Sequence, residues 1–359
     1  MATISLCMIV RDEALTLRRC LDAVKDAVDE IVIVDTGSAD DTIAIAKTYT
    51  DHVHTFVWID DFAAARNFAF SLAKMDYIFW LDADDVMEKD QAAALRSLAD
   101  NLDKAVDAVM MRYQTAFDES GRPTFSFMRE RLLRNGAGFS WMEPVHEYIA
   151  ISGRIIQSEI EIKHMKPPGR ADQKSDRNLR IYERTLLEKG QLSPRGQYYY
   201  ARELMDHGRD RAAIAAFESF LRGKKGWVED NITACLEMGR CHFRLDEPDD
   251  GARAILRSFA YDTPRAEVCC ELGYLAKRQN DYRKAAFWFD LVMHLERPQQ
   301  GIGFVREDDW GYVPALEGCV CHYALGEMDL ARKANARAEN FKPQSRAVAH
   351  NWAVLGREG

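Results

Sequence analysis

Three acidic side chains crowd into four residues at Asp82-Ala83-Asp84-Asp85, directly after the apolar run Tyr77–Leu81. Carboxylates this close repel one another unless a cation or a helix N-terminus compensates. A hard divalent ion with oxygen ligands, Mg²⁺ or Mn²⁺, would compensate and could bridge to a diphosphate. Asp85 as the cap of a helix over residues 87–98 is the competing reading, and it accounts for only one of the three. A second cluster is Val34-Asp35-Thr36-Gly37-Ser38-Ala39-Asp40-Asp41-Thr42. It reads either as a plain strand–turn–helix capped by Ser38 or Asp40, or as a site where Asp35 accepts a hydrogen bond from a base or ribose. A third is Trp141-Met142-Glu143-Pro144-Val145-His146-Glu147, followed by Lys163-His164. A glutamate there could act as a general base and His164 as a metal ligand; both residue types also serve as structural groups.

The elements that must position these residues alternate. Ile4–Val10 is a buried-strand pattern, and Leu17, Leu21 and Val24 have helical spacing. Ile31–Val34 is a second strand, 42–48 a helix, 52–58 a third strand, 62–75 an Ala-rich helix and Tyr77–Leu81 a fourth strand. Strands alternating with helices mean βαβ units and a mostly parallel sheet. Ligands of such sheets bind beyond the carboxyl ends of the strands. Both polar clusters, at 35–38 and 82–85, fall at such ends.

Beyond residue 190 the strand-like alternation stops. Gly239 and Gly273 are 34 residues apart, the length of a tetratricopeptide repeat. In that frame Ala201, Gly239, Gly273 and Cys319 take a small position where paired helices meet. Ala213, Gly251, Ala285 and Ala331 follow, then Phe217, Ile255, Phe289 and Asn335, with steps of 38, 34 and 46 residues between units. An insertion over 298–309 stretches the last step, and Pro264, Pro298 and Pro343 stand near unit ends, where a helix must stop. Plain helical hairpins are the alternative. The expected organisation is an α/β domain over 1–165, a linker or active-site loop over 166–190, and all-α repeats over 191–359. Such arrays bind protein or dimerise, so a homodimer through the repeats is expected.

The 359 residues carry a net charge of −9, which gives no broad attraction to nucleic acid or anionic membrane. No apolar run approaches the roughly 18 residues of a membrane helix. The opening Met1-Ala2-Thr3-Ile4-Ser5 lacks a basic stretch ahead of an apolar one, so no signal peptide is expected. The eight cysteines form no CxxC pair, and six lie among apolar residues beyond position 230. Buried free thiols in a reducing cytoplasm are the expectation.

Together the segments Ile4–Glu13, Val34–Ser38, Asp61-Phe62-Ala63-Ala64-Ala65-Arg66-Asn67 and Trp80-Leu81-Asp82-Ala83-Asp84 occur in the order and separation of a known family. The chain resembles the family-two glycosyltransferases of GT-A fold. More narrowly it resembles a bacterial branch with C-terminal tetratricopeptide repeats, which includes peptide glycosyltransferases that modify bacteriocin precursors. It is also similar to lipopolysaccharide core glucosyltransferases. The resemblance covers residues 3–165 by motif and the rest by architecture.

The resemblance implies roles. Asp35 contacts the uracil of a UDP-sugar, and Glu13, Arg66 and Asn67 line the nucleotide–sugar pocket. Asp82 and Asp84 are a DxD pair, with Asp84 and His164 on the Mn²⁺ or Mg²⁺ ion and Asp82 near the ribose and a metal-bound water. Glu147 is the base and Trp141 a platform beneath the sugar. The family has Asn where this chain has Asp12. Lys166, Arg170, Lys174 and Arg177 would add positive charge at the leaving group, or form a solvated linker. The implied reaction is one displacement with inversion, moving a hexose or N-acetylhexosamine from UDP. The acceptor is a peptide or protein Ser, Thr or Cys, or else a saccharide such as a lipopolysaccharide core or capsule precursor. A non-catalytic adaptor with a vestigial domain is the third reading, and the intact Asp82/Asp84 pair argues against it.

Overall fold

The computed structural model describes residues 1–118, 121–165, 176–297 and 305–356. The chain separates into two compact units, Met1–Arg184 and Thr185–Gly359.

In the first unit, β1 (Ile4–Val10), β2 (Glu30–Asp35), β3 (Val53–Thr55) and β4 (Tyr77–Trp80) lie parallel in the order β3-β2-β1-β4. The sheet continues through β7 (Pro123–Arg134), β6 (Ala108–Phe117), β10 (Ile155–His164) and β5 (Asp85–Val86). Here β7 is antiparallel to β4 and β6, β10 is parallel to β6, and β5 is antiparallel to β10. A small ribbon, β8 (Trp141–Met142) with β9 (Tyr148–Ile149), flanks a sharp loop. The helices are α1 (Leu17–Val24), α2 (Thr42–Ala46), α3 (Phe62–Ser71), α4 (Lys89–Asn101) and α5 (Arg177–Lys189). Of the expected linker, residues 166–175 lie outside those described and the rest is largely α5.

Period-two alternation divides each strand between two cores. Ile4, Leu6, Met8 and Val10 of β1, with Tyr77 and Phe79 of β4, pack under α1 and α4. Cys7 of β1, with Ile78 and Trp80 of β4, packs on the other face with Ala63, Ala69 and Phe70 of α3. Helix α1 buries Leu17, Cys20, Leu21 and Val24, the stripe that its spacing requires. The outcome is a mixed sheet whose parallel half ends in the two polar turns.

The second unit is helical. It pairs α6 (Pro194–Asp206) with α7 (Asp210–Gly223), α8 (Val228–Arg244) with α9 (Pro248–Leu256), α10 (Ala266–Arg278) with α11 (Tyr282–Val292), and α12 (Tyr312–Ala324) with α13 (Met328–Phe341). Helix α14 (Arg346–Leu355) packs on α13. The small positions are where the helices touch. A methyl group at Gly239 would stand 2.4 Å from Ile255 Cγ1, and one at Gly273 2.7 Å from Phe289 Cζ. Asn335 stands fully buried where the earlier units have Phe or Ile. Its amide donates to Val348 O at 3.2 Å and accepts from Asn351 Nδ2 at 3.0 Å, so α14 satisfies it. All eight cysteines are buried and unpaired. Burial pushes the Cys235 and Cys241 thiols up to about 12, which makes them poor nucleophiles. Among the described residues no helix is long and apolar enough to cross a membrane.

Candidate active site

A cleft of about 560 Å³ opens at the carboxyl ends of β1, β2 and β4. Its walls include Val10–Glu13, Thr36, Arg66, Asp82–Asp84, Val145–Glu147 and Arg177. The sheet order reverses direction between β2 and β4 around β1, and that reversal makes the crevice.

The acidic turn is built around Asp85, which is neither helix cap nor surface charge. Asp85 N donates to Asp82 O, and Asp82 N donates back to Asp85 Oδ2, each at 3.0 Å. The other partners of the Asp85 carboxylate are Tyr113 Oη at 2.7 Å and Arg131 Nη1 at 2.9 Å. Both members of the Asp85–Arg131 pair are fully buried. Helix α4 begins at Lys89 without a side-chain cap, so the competing reading of Asp85 as a helix cap fails. With Asp85 turned inward and Ala83 in the core, Asp82 and Asp84 are the two carboxylates left facing the cleft.

Strand pairing brings His164 to this turn. The β10–β5 register sets His164 opposite Asp85, with Nδ1 3.3 Å from Asp84 Oδ1 and 3.6 Å from Asp85 Oδ1. Ligand atoms of Asp84, Asp85 and His164 all fall within 4.8 Å of one another. Burial disfavours charge on the ring, but Asp84 and Asp85 outweigh it and push His164 up to about 10. Nδ1 is nevertheless buried without a well-formed hydrogen bond. A nitrogen so placed between carboxylates suits a divalent ion, whose binding requires the neutral ring. Asp82 is not part of that group.

Arg66 ties Asp82 to the other wall. Helix α3 is capped by Asp61, whose Oδ1 accepts from Ala64 N at 2.9 Å. From this helix Arg66 donates through Nη2 to Asp82 Oδ1 and through Nε to Glu147 Oε1, each at 2.7 Å. Burial opposes ionisation of Asp82, yet Arg66 and then Arg131 hold it down to about 2. Glu147 follows a loop in which Glu143 and His146 take left-handed backbone angles, φ 72° and 53°. Such strain persists only where the surroundings enforce it. Phe62 N donates to Pro144 O at 2.8 Å, Tyr182 Oη donates to Val145 O at 3.3 Å, and the His146 ring stacks on Tyr182. Glu147 lines the cleft; Glu143 does not.

Other expected residues take different posts. Trp141 is only 3% exposed and packs edge-on against Trp80 at 4.7 Å, so it is a floor beneath Arg66 rather than an open platform. Asn67 spends its amide on Trp141, donating to its O and accepting from its N, and does not line the cleft. Asp35 is 2% exposed and accepts from Gly37 N and Ser38 N, the turn-forming role; its neighbour Thr36 reaches the cleft. Glu13 lines the cleft and accepts from Thr16 Oγ1 at 2.6 Å. Asp12 sits at φ 54°, a conformation that Asn and Asp tolerate best, and its Oδ1 accepts from Ala39 N. Of the basic loop residues, Arg177 lines the cleft above Phe62, and Lys166, Arg170 and Lys174 lie outside the described residues. Sequence reading missed Arg131 and Tyr113. Charged Arg129-Glu130-Arg131 inside the run Phe127–Leu133 was the available signal, since such charges need buried partners.

Residues 5–158 match the family described as Glycosyl transferase family 2. A TPR repeat-containing protein of Synechococcus elongatus is 41% identical over 159 residues, 44% of this chain and 38% of its own. The SPbeta prophage-derived glycosyltransferase SunS of Bacillus subtilis is 27% identical over 222 residues, 59% of this chain and 51% of its own. The matches thus span about half or less of these relatives. The crystal structure of S. aureus TarS aligns with 69% of this chain and 54% of its own at TM-score 0.39 and 13% identity. The matched residues run from β1 through the Asp82–Asp84 turn and include the Arg66–Glu147 pair, and over them this chain is similar to glycosyl transferase family 2.

Proposed function

We propose that this chain is a metal-dependent inverting glycosyltransferase that moves a hexose or N-acetylhexosamine from a UDP-sugar to a Ser, Thr or Cys of a peptide or protein. The observation that carries the reading is the Arg66 bridge between Asp82 and Glu147, one carboxylate at the DxD turn and one across the cleft. Asp84 and His164 would hold the Mn²⁺ or Mg²⁺ ion, with Asp82 beside them. When bound, the ion supplies a Lewis acid for the diphosphate leaving group.

The chain's own residues do the rest. Glu13 and Thr36 flank the nucleotide, and Asp35 shapes the turn beside it. Arg66 fixes Glu147 through Oε1. The acceptor oxygen or sulfur attacks the anomeric carbon from the face opposite UDP. One C–O bond to the diphosphate breaks as the new bond forms, and Glu147 takes the acceptor's proton. The helical repeats would grip the acceptor chain or join two copies.

The test is UDP release from a panel of nucleotide sugars, run with wild type and Asp84→Ala. Mn²⁺-dependent release by wild type and its loss in the variant are expected. Full activity in Asp84→Ala, or in wild type with excess chelator, would overturn the metal assignment. Incubation with peptide and with saccharide acceptors then decides the acceptor class.

A further inference from the structure

Three neighbouring strands set Tyr113, His164 and Asp85 in one row. Side chains two residues apart in a strand share a face. In β6, Met111 and Tyr113 turn to the core under α1 and α4, and so does Ile162 of β10. Tyr113 stands opposite Ile162, so His164, two residues on, is its diagonal neighbour on that face. On the other side of β10, His164 stands opposite Asp85 of β5. The Tyr113 side chain crosses β10 to reach Asp85, and its ring meets the His164 ring edge-on at 5.9 Å.

The Asp85 carboxylate is fully engaged inside the protein. Tyr113 Oη donates to Oδ1 at 2.7 Å, while Oδ2 accepts from Asp82 N at 3.0 Å and from Arg131 Nη1 at 2.9 Å. The same Arg131 nitrogen donates to Trp80 O at 3.1 Å, and the guanidinium lies over the Tyr113 ring at 4.3 Å. Oδ1 is also the oxygen 3.6 Å from His164 Nδ1, beyond hydrogen-bond reach. Asp85 is fully buried and takes no part in lining the cleft, whereas Asp84 lines it. Asp85 could turn out to an ion only by leaving three buried donors unmet, which is costly.

We propose that Tyr113 is a positioning residue for the metal centre. Its hydroxyl fixes Asp85 and its ring backs His164, so that His164 and Asp84 stay aimed at one ion. The proposal rests on the metal reading above and adds to it the support behind the two ligands. Asp85 is then part of that support and not a third ligand. Groups of this kind govern metal affinity because they hold the ligands in place before the ion arrives. Without the Tyr113 hydroxyl, Oδ1 of Asp85 is free to turn to His164 Nδ1 and take that nitrogen from the ion.

Mn²⁺ binding to the full chain is measured without nucleotide, from the electron paramagnetic resonance signal of the free ion. Tyr113→Phe keeps the ring beside His164 and removes only the hydroxyl. It should weaken Mn²⁺ affinity about 10- to 100-fold, the loss typical of a ligand's supporting group. Val109→Ala is the control: Val109 is buried in the same strand and core but stands opposite Ile156, away from the row. Its Mn²⁺ affinity should match wild type. Wild-type affinity in Tyr113→Phe would overturn the proposal. So would an equal loss in Val109→Ala, which would make Tyr113 a packing residue only. Equal Mn²⁺ binding by wild type and Asp84→Ala would instead overturn the metal reading itself, and the proposal with it. If Tyr113→Phe does not fold, Asp85→Asn carries the same comparison.

Discussion

Replacing Asp85 by Asn tests whether the third acid of the turn holds the structure or the metal. Asp85 is fully buried, pairs with the equally buried Arg131, and accepts further bonds from Tyr113 Oη and Asp82 N. Asn keeps the shape and one acceptor but removes the charge that offsets Arg131, two of whose nitrogens already lack partners. Breaking a buried pair by neutralising one member costs about 3–5 kcal/mol. Urea unfolding followed by tryptophan fluorescence reads this loss, because Trp80 lies against Arg131. The same energy should return largely in Asp85→Leu/Arg131→Met, since replacing both charges with apolar groups leaves none uncompensated. The reasoning fails if Asp85→Asn unfolds within about 1 kcal/mol of wild type. It fails equally if the double variant is as unstable as the single one.

Glu147→Gln should lower kcat by about 10²–10⁴-fold with UDP affinity nearly unchanged, whereas Glu143→Gln, outside the cleft, should retain wild-type kcat; steady-state kinetics of both variants decides the base. Gly239→Ala should destabilise the helical unit by about 1–3 kcal/mol, because its methyl group would press on Ile255; a thermal scan equal to wild type would refute the close approach. Burial holds Asp230 up to about 6 from its ordinary 3.8, in spite of Arg195 and Arg202. A raised acid favours the folded state at low pH, so this contribution, on the order of 2–3 kcal/mol, is lost as pH rises from about 4 to about 6. Asp230→Asn should flatten the stability–pH curve over that window, and a curve parallel to wild type would show that Asp230 is not the group responsible.

The parallel half of the sheet was legible because its strands are short, apolar and bounded by polar turns. Ile4–Val10, Ile31–Val34 and Tyr77–Leu81 needed no partner to be recognised. The helical frame was legible for a different reason: helices that cross closely leave no room for a side chain, and Ala201, Gly239, Gly273 and Cys319 recur at that crossing. The long β6, β7 and β10 escaped, since their residues mix charged with apolar side chains and pair across wide sequence separations. Charge inside a strand reads as solvent-facing until its buried partner is known.

Residue type and order therefore determined which carboxylates gather at the strand ends and that paired helices follow, while only the resemblance put Arg66 and Glu147 in one pocket. Only the tertiary structure divided the acids among themselves. Asp84 faces His164, Asp82 faces Arg66, and Asp85 turns inward to Arg131, although the three are near-neighbours in sequence. It likewise buried Trp141 under Arg66 and drew Asn67 to the backbone of Trp141. The physical reason is that a carboxylate's part is set by which cation stands within about 4 Å, where their attraction is strong enough to overcome the cost of burial. Those cations come from α3, β7 and β10, and only folding brings them to one turn.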